Sequence, residues 1–262
     1  MNSFNSETGV SESAPARQTM TFQDSVSPST TSRYAARLRW LRFLLTCRIP
    51  QVRLETILRG ASVSDLKIPF VSDHYESPSL YEQLVLATLV RVLNPQRCFE
   101  IGTSLGFTTC VLASNSSVAC RIDTLDVSSD TRIGSAFRST PGASKIQQHV
   151  ASSAVFSFEP YEGKIDLVFV DGSHEFKDVL RDTANAISML SPTGVALWHD
   201  VSPEHPGVVK ALEACAESKG IWRIHNTSLG LYTPQGTFDG RWLEKLLLLA
   251  LAPLSSLAQM SD

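Results

Sequence analysis

Two periods of apolar residues divide the chain. From Arg33 onward, Tyr34, Leu38, Leu41 and Leu45 recur at helical spacing, while Arg33, Arg37, Arg39 and Arg42 supply a basic face. A second helix is predicted from Ser79 to Leu93, with Leu80, Leu84, Ala87 and Val90 on its apolar stripe and Asn94-Pro95 ending it. Beyond Pro95 the period shortens. Residues Arg97–Ile101, Arg121–Asp126, Lys145–Val150, Ile165–Val170, Val195–Trp198, Trp222–His225 and Leu229–Tyr232 are predicted strands. Helical stretches fit between most of them, the clearest carrying Phe176, Val179, Leu180, Ala184 and Ile187 on one face. Such alternation means an α/β fold, a parallel sheet with helices on both faces.

The flanks read differently. Residues 1–33 hold 13 Ser and Thr and almost no branched aliphatics, too little apolar surface to offset the entropy of ordering. The expected organisation is a disordered tail over 1–33, an N-terminal helical extension over 34–74, the α/β domain over 75–235 and a Leu-rich helical segment over 236–262. That last segment is expected to pack on the domain or on a second subunit, giving a homodimer through the terminal helices.

Composition narrows the partners. With 23 Lys+Arg against 26 Asp+Glu, the net charge of -3 argues against a nucleic-acid binder driven by bulk charge. The Arg-rich stretch reaching Arg59 still leaves an RNA, membrane or acidic partner open, beside the simpler expectation of a helix packed on the domain. Five cysteines without a CxxC pair argue against a disulfide scaffold or zinc ribbon and point to a reducing compartment. No signal peptide is visible, and the longest apolar run, Leu246 to Ala252, is too short to span a bilayer. A cytoplasmic protein without a membrane span is expected.

Chemistry concentrates first at Cys98-Phe99-Glu100-Ile101-Gly102-Thr103-Ser104-Leu105-Gly106-Phe107-Thr108-Thr109. A strand runs into a glycine loop and a helix follows, the arrangement that holds ligands beyond the strand ends of doubly wound sheets. The three-glycine dinucleotide fingerprint is missing. The residues Gly102 to Gly106 also spell G-x-S-x-G, the nucleophile elbow of α/β-hydrolases, with Asp171 and then His199 or His225 in the matching chain order. Against the elbow, the preceding sixty residues look helical and Glu100 has no role in it. In a cofactor site Glu100 can accept hydrogen bonds from a cationic amino-acid group or orient the loop. Asp126, ending the next strand, can accept both ribose hydroxyls of an adenosine, or simply start a turn with Ser128 and Ser129.

These residues resemble a family. Glu-Ile-Gly-Thr-Ser-Leu-Gly-Phe-Thr-Thr is similar to motif I of class I S-adenosylmethionine-dependent methyltransferases. Leu-Val-Phe-Val-Asp-Gly-Ser-His, residues 167–174, and Gly194-Val-Ala-Leu-Trp-His-Asp-Val201 resemble the fourth- and fifth-strand motifs of their small-molecule O-methyltransferase branch. The resemblance covers about residues 75–235. It implies a Rossmann-like, doubly wound, seven-stranded sheet with the last strand antiparallel, and S-adenosylmethionine as cofactor. By position, Glu100, Gly102, Thr103, Ser104 and Gly106 would surround the methionine part, Asp126 the ribose and Ser152 the adenine, with Asp171 beside them.

The same resemblance assigns the fourth and fifth strand ends. In catechol-type members the acid ending strand four and an Asp-Asn pair ending strand five hold magnesium, and a lysine three residues after that acid is the base. Here Asp171 matches the acid, His174 the base, and His199-Asp200 the pair, so Asp171 and His174 are the expected catalytic residues. Asp171, His199 and Asp200 are the expected ligands of a divalent metal ion, and a histidine among them suits a transition ion better than magnesium. His149, His205 and His225 have no comparable context, and His74 and Tyr75 are weaker candidates for facing substrate. The expected reaction is methyl transfer from S-adenosylmethionine to a hydroxyl of a small molecule, a sugar or other natural product at family level. A serine hydrolase using Ser104 and a non-catalytic scaffold of the cofactor fold are the alternatives.

Overall fold

In the computed structural model, which describes residues 30–58, 63–70 and 77–234, the short apolar runs assemble into one eight-stranded sheet. The strands are β1 (Gln51–Val52), β2 (Arg97–Ile101), β3 (Arg121–Asp126), β4 (Ile146–Val150), β5 (Ile165–Val170), β6 (Leu190–Trp198), β7 (Trp222–Ile224) and β8 (Gly230–Tyr232). They lie in the order β1-β7-β8-β6-β5-β2-β3-β4. Every neighbouring pair is parallel except those of β8, which runs antiparallel to β6 and β7. The helices are α1 (Thr30–Thr46), α2 (Leu54–Ile57), α3 (Leu80–Leu93), α4 (Phe107–Asn115), α5 (Phe176–Met189) and α6 (Pro206–Lys219).

The chain divides into two compact units, residues 1–38 and 39–262. Of the first, only the opening turns of α1 are described, and they begin at Thr30, inside the stretch expected as tail. Residues 1–29, His74, Tyr75 and the Leu-rich segment over 236–262 lie outside the described residues. No helix among the described residues is long and apolar enough to cross a membrane.

The sheet departs from the expected seven strands by one, β1, drawn from the stretch expected as helical extension. Pro50 and Val52 explain it. Their carbonyls accept the amides of Arg223 at 2.8 Å and His225 at 2.9 Å, so this extended piece satisfies an otherwise open edge of β7. The extension is therefore α1, a short strand, the single turn α2 and residues 63–70 without regular structure.

Period-2 alternation sorts the core into two layers. Cys98, Leu167, Phe169, Val195 and Leu197 face a cluster that includes Leu86, Leu89 and Val90 of α3 and Leu112 of α4. Phe99, Ile101, Val168, Val170, Ala196 and Trp198 face Val179 and Met189 of α5 and Val208 and Leu212 of α6. Trp198 is fixed by its indole N–H, which donates to Thr183 Oγ1 of α5 at 3.1 Å. Along the chain, β2, β3 and β4 extend the sheet one way, while β5 and β6 build from β2 the other way. The crevice where the order reverses therefore opens beyond the carboxyl ends of β2 and β5, where doubly wound sheets bind ligands.

Candidate active site at the strand ends

The loop leaving β2 is shaped by what surrounds it. Gly102 has φ +100°, and a Cβ there would lie 1.9 Å from the carbonyl oxygen of Asp171. The Gly102 amide donates to Leu125 O at 2.8 Å and the Asp171 amide to Ile101 O at 2.7 Å, so the ends of β2, β3 and β5 are tied together. Gly106 has φ +88°, and there Phe137 would block any side chain at 2.6 Å; α4 begins just after it. Asp126 holds the loop from the side. Its Oδ2 accepts the amides of Thr103 at 3.1 Å and Ser104 at 2.9 Å, and its Oδ1 accepts that of Ser128 at 2.8 Å.

Beneath the loop lies Glu100, fully buried. Its Oε2 accepts the hydroxyls of Thr109 and Thr124, each at 2.5 Å. The single Thr124 proton is spent on Glu100, so Thr103 Oγ1, 2.7 Å away, is the donor to Thr124. Burial pushes the Glu100 carboxyl up to about 8, against the pull of the two hydroxyls. Its Oε1 is buried with no hydrogen-bond partner among the described residues.

A cavity of about 510 Å³ opens above the loop. Of the residues expected to meet the cofactor, Gly102, Ser104, Asp126, Ser152 and Asp171 line it, whereas Glu100, Thr103 and Gly106 stand behind its wall and build the loop. Arg181, Asp178, Asp182 and Ser153 line it as well and were not singled out by the sequence. Arg181 pairs with Asp178 at 2.9 Å.

Next to this cavity the ends of β5 and β6 bring a cluster of acids and imidazoles together. His199 Nδ1 lies 3.4 Å from Asp171 Oδ2 and 3.5 Å from Asp200 Oδ1, and its Nε2 faces Glu82 Oε2 at 3.6 Å. Burial alone would lower the His199 pKa, but the carboxylates around it, Asp171 foremost, hold it well above its ordinary value. Asp200, at φ +59°, reaches the other way, its Oδ2 2.9 Å from His174 Nε2. That bond raises the His174 pKa. His205 Nε2 is 3.5 Å from Asp200 Oδ1, and its ring centroid is 4.1 Å from that of His174. Two sets of three, Asp171 with His199 and Asp200, and His174 with Asp200 and His205, each place donor atoms within 4.8 Å of one another.

Glu82 and His205 are the two members that the sequence did not single out. Glu82 is 7% exposed and closes a capping box on α3, with Oε2 accepting the Ser79 amide at 3.0 Å. Its Oε1 accepts the Ser228 amide at 2.7 Å and the Ser228 hydroxyl at 2.6 Å. The S-x-x-E spelling was the available signal, but it announces a helix start and not a site. His205 is the N-cap of α6, and Gly207 is what lets that helix approach, since a Cβ there would lie 2.2 Å from the His174 carbonyl oxygen.

Residues 99–201 match the family model described as a methyltransferase domain. Two solved structures share the fold. The O-methyltransferase from Bacillus cereus in complex with SAH is 18% identical, over 61% of this chain and 84% of that one, with a TM-score of 0.50. The SAH-bound Podospora anserina methyltransferase PaMTH1 is 16% identical, over 60% of this chain and 80% of that one, with a TM-score of 0.53. At these identities the likeness is one of fold. An uncharacterized protein of Sinorhizobium fredii, y4gI, is 26% identical over 167 residues, which are 57% of this chain but only 18% of that relative. The matched model is one of methyltransferase domains and not of hydrolases, which leaves the elbow reading of Ser104 without support.

Proposed function

From the match of residues 99–201 to a methyltransferase-domain model and the fold shared with SAH-bound methyltransferases, we propose that the chain transfers a methyl group from S-adenosylmethionine to a hydroxyl oxygen of a small molecule. The observation that carries this reading is the cavity at the ends of β2, β3 and β5, beside the paired His174 and Asp200. The wall fits the cofactor. A loop without Cβ at Gly102 admits close backbone approach, and a volume of about 510 Å³ is of ligand size. Asp126 Oδ1, which accepts a single amide, has one lone pair left for a ribose hydroxyl, Ser152 on the cavity wall would meet an adenine edge, and Asp171 would offer a carboxylate to a cationic amine. When bound, the cofactor supplies an electrophilic methyl on a sulfonium.

The chain's own residues then position and deprotonate. Asp200 holds the His174 ring through Nε2, leaving Nδ1 as the atom that takes the proton of the acceptor hydroxyl. Most of the rate gain comes from holding that oxygen in line with the methyl group. Asp171, His199 and Asp200 would hold a divalent ion. His199 Nδ1 faces the two carboxylates and Nε2 faces Glu82, so an ion that displaced the Nδ1 proton would meet a mixed nitrogen–oxygen set that suits a transition ion. Such an ion lowers the pKa of a coordinated hydroxyl.

The test is transfer of an isotope-labelled methyl from S-adenosylmethionine to a panel of hydroxylated small molecules. Label recovered as an O-methyl ether supports the reading. Label recovered only on nitrogen or sulfur, or no turnover with any member, contradicts it.

A further inference from the structure

A second cavity, of about 590 Å³, opens from Asp200 and His205 across the end of β8 to Arg223 on β7. Arg223 is its unusual feature. The side chain is 2% exposed, yet among the described residues it has no carboxylate and no hydrogen-bond acceptor, and its Nε is buried without a partner. The ring of Phe43 lies 4.9 Å from the guanidinium carbon and forms with Trp40 an edge-to-face aromatic pair 5.6 Å apart, and the Cys47 thiol is a further neighbour of Arg223. An aromatic face stabilises a guanidinium but accepts none of its five N–H bonds. A buried arginine otherwise takes a carboxylate or phosphate as a bidentate partner.

We propose that this cavity is the acceptor pocket and that Arg223 pairs with an oxyanion, a carboxylate or a phosphate, on an acceptor whose aromatic or apolar body lies along Trp40. The pocket is bipolar. Among its lining residues Asp200 and His205 follow β6, next to His174, with Glu82 and Glu204 as further carboxylates, and Arg223 on β7 is the one guanidinium. β8 separates β6 from β7, so the two ends stand about two strand spacings, roughly 10 Å, apart. The acceptor therefore carries its reacting hydroxyl about that far from its anionic group. The assignment rests on the methyltransferase reading, which makes the His174–Asp200 end the reacting end.

The experiment is calorimetric titration of the full chain, saturated with S-adenosylhomocysteine, with benzoate, phenyl phosphate and benzamide. At least one oxyanion binds tenfold or more tightly than benzamide, and the stronger of the two identifies carboxylate or phosphate. Arg223→Met removes that preference, and Arg223→Lys, which keeps the charge, retains part of it. The proposal is overturned if benzamide binds as well as both oxyanions, if none of the three binds, or if the preference survives Arg223→Met. Should Arg223→Met lose S-adenosylhomocysteine binding and so fail to fold, the wild-type preference and its weakening in Arg223→Lys decide, and an unweakened preference there overturns it. Failure of the wild-type chain to bind S-adenosylhomocysteine is a separate result, against the methyltransferase reading itself.

Discussion

Gly102 has no room for a side chain because the carbonyl oxygen of Asp171 lies 1.9 Å from where its Cβ would stand. The ends of β2 and β5 are packed backbone against backbone at the mouth of the cavity proposed for the cofactor. Gly102→Ala forces both a clash and a left-handed φ on a residue with a Cβ. The expected outcome is a loss of S-adenosylhomocysteine affinity of at least about tenfold and a melting temperature lower by several degrees, read by calorimetry and thermal unfolding.

Asp126 supports the loop by accepting three backbone amides, those of Thr103, Ser104 and Ser128. Asp126→Ala leaves all three without this acceptor, and bonds to a charged group are each worth roughly 1.5–3 kcal/mol. Cofactor affinity is expected to fall about tenfold to a hundredfold. Asp126→Asn, which keeps one acceptor oxygen, falls between wild type and the alanine variant in the same titration.

Gly207 is the corresponding contact beside the cavity proposed for the acceptor, with the His174 carbonyl oxygen 2.2 Å from its would-be Cβ. Gly207→Ala pushes the start of α6, and with it His205, away from His174 and Asp200. Methyl transfer is expected to drop about tenfold or more, since small misplacements are costly for aligned reactants. Affinity for S-adenosylhomocysteine is expected to stay within about twofold, because the cavity proposed for the cofactor is lined by other elements.

Glu100 gives a pH signature. Its carboxyl titrates at about 8 in the folded chain, above the ordinary glutamate value, so the folded state holds the proton more tightly than the unfolded state. The stability that this supplies is fully present below the unfolded value of about 4.3 and is lost as pH rises through 8, at up to about 1.4 kcal/mol per pH unit. In Glu100→Gln this component disappears. Urea unfolding at pH 5, 7 and 9 should show the variant gaining on wild type toward alkaline pH.

The metal reading predicts that dialysis against EDTA lowers methyl transfer at least about tenfold and that manganese or cobalt restores it better than magnesium. His199→Ala should abolish the restoration. Equal rates before and after chelation would return His199 to the role of a cation balancing Glu82, Asp171 and Asp200.

Much of this fold was legible because its central strands β5 and β6 carry apolar runs buried on both faces, and a run such as Leu167–Val170 announces itself. β1 is only two residues long and carries no period, so it passed as part of a helical extension. The loop after β2 was recognisable from its glycines, but which of its residues face the cavity was not. Glu100 and Thr103 read like ligand contacts and lie behind the wall, because strand pleating turns Glu100 toward Thr109 of α4. Glu82, His205 and Arg223 escaped for a common reason. Each is brought to the site by tertiary packing from a segment with no motif of its own: a helix cap, a helix start behind Gly207, and a short strand near the sheet edge.

The central claim is that the cavity between β2, β3 and β5 holds the cofactor, and calorimetric titration with S-adenosylhomocysteine tests it most directly. The expected result is one site per chain with a Kd on the order of micromolar, about −8 kcal/mol, weakened in Gly102→Ala and Asp126→Ala. Absence of binding heat at millimolar ligand, or equal binding in both variants, would contradict it.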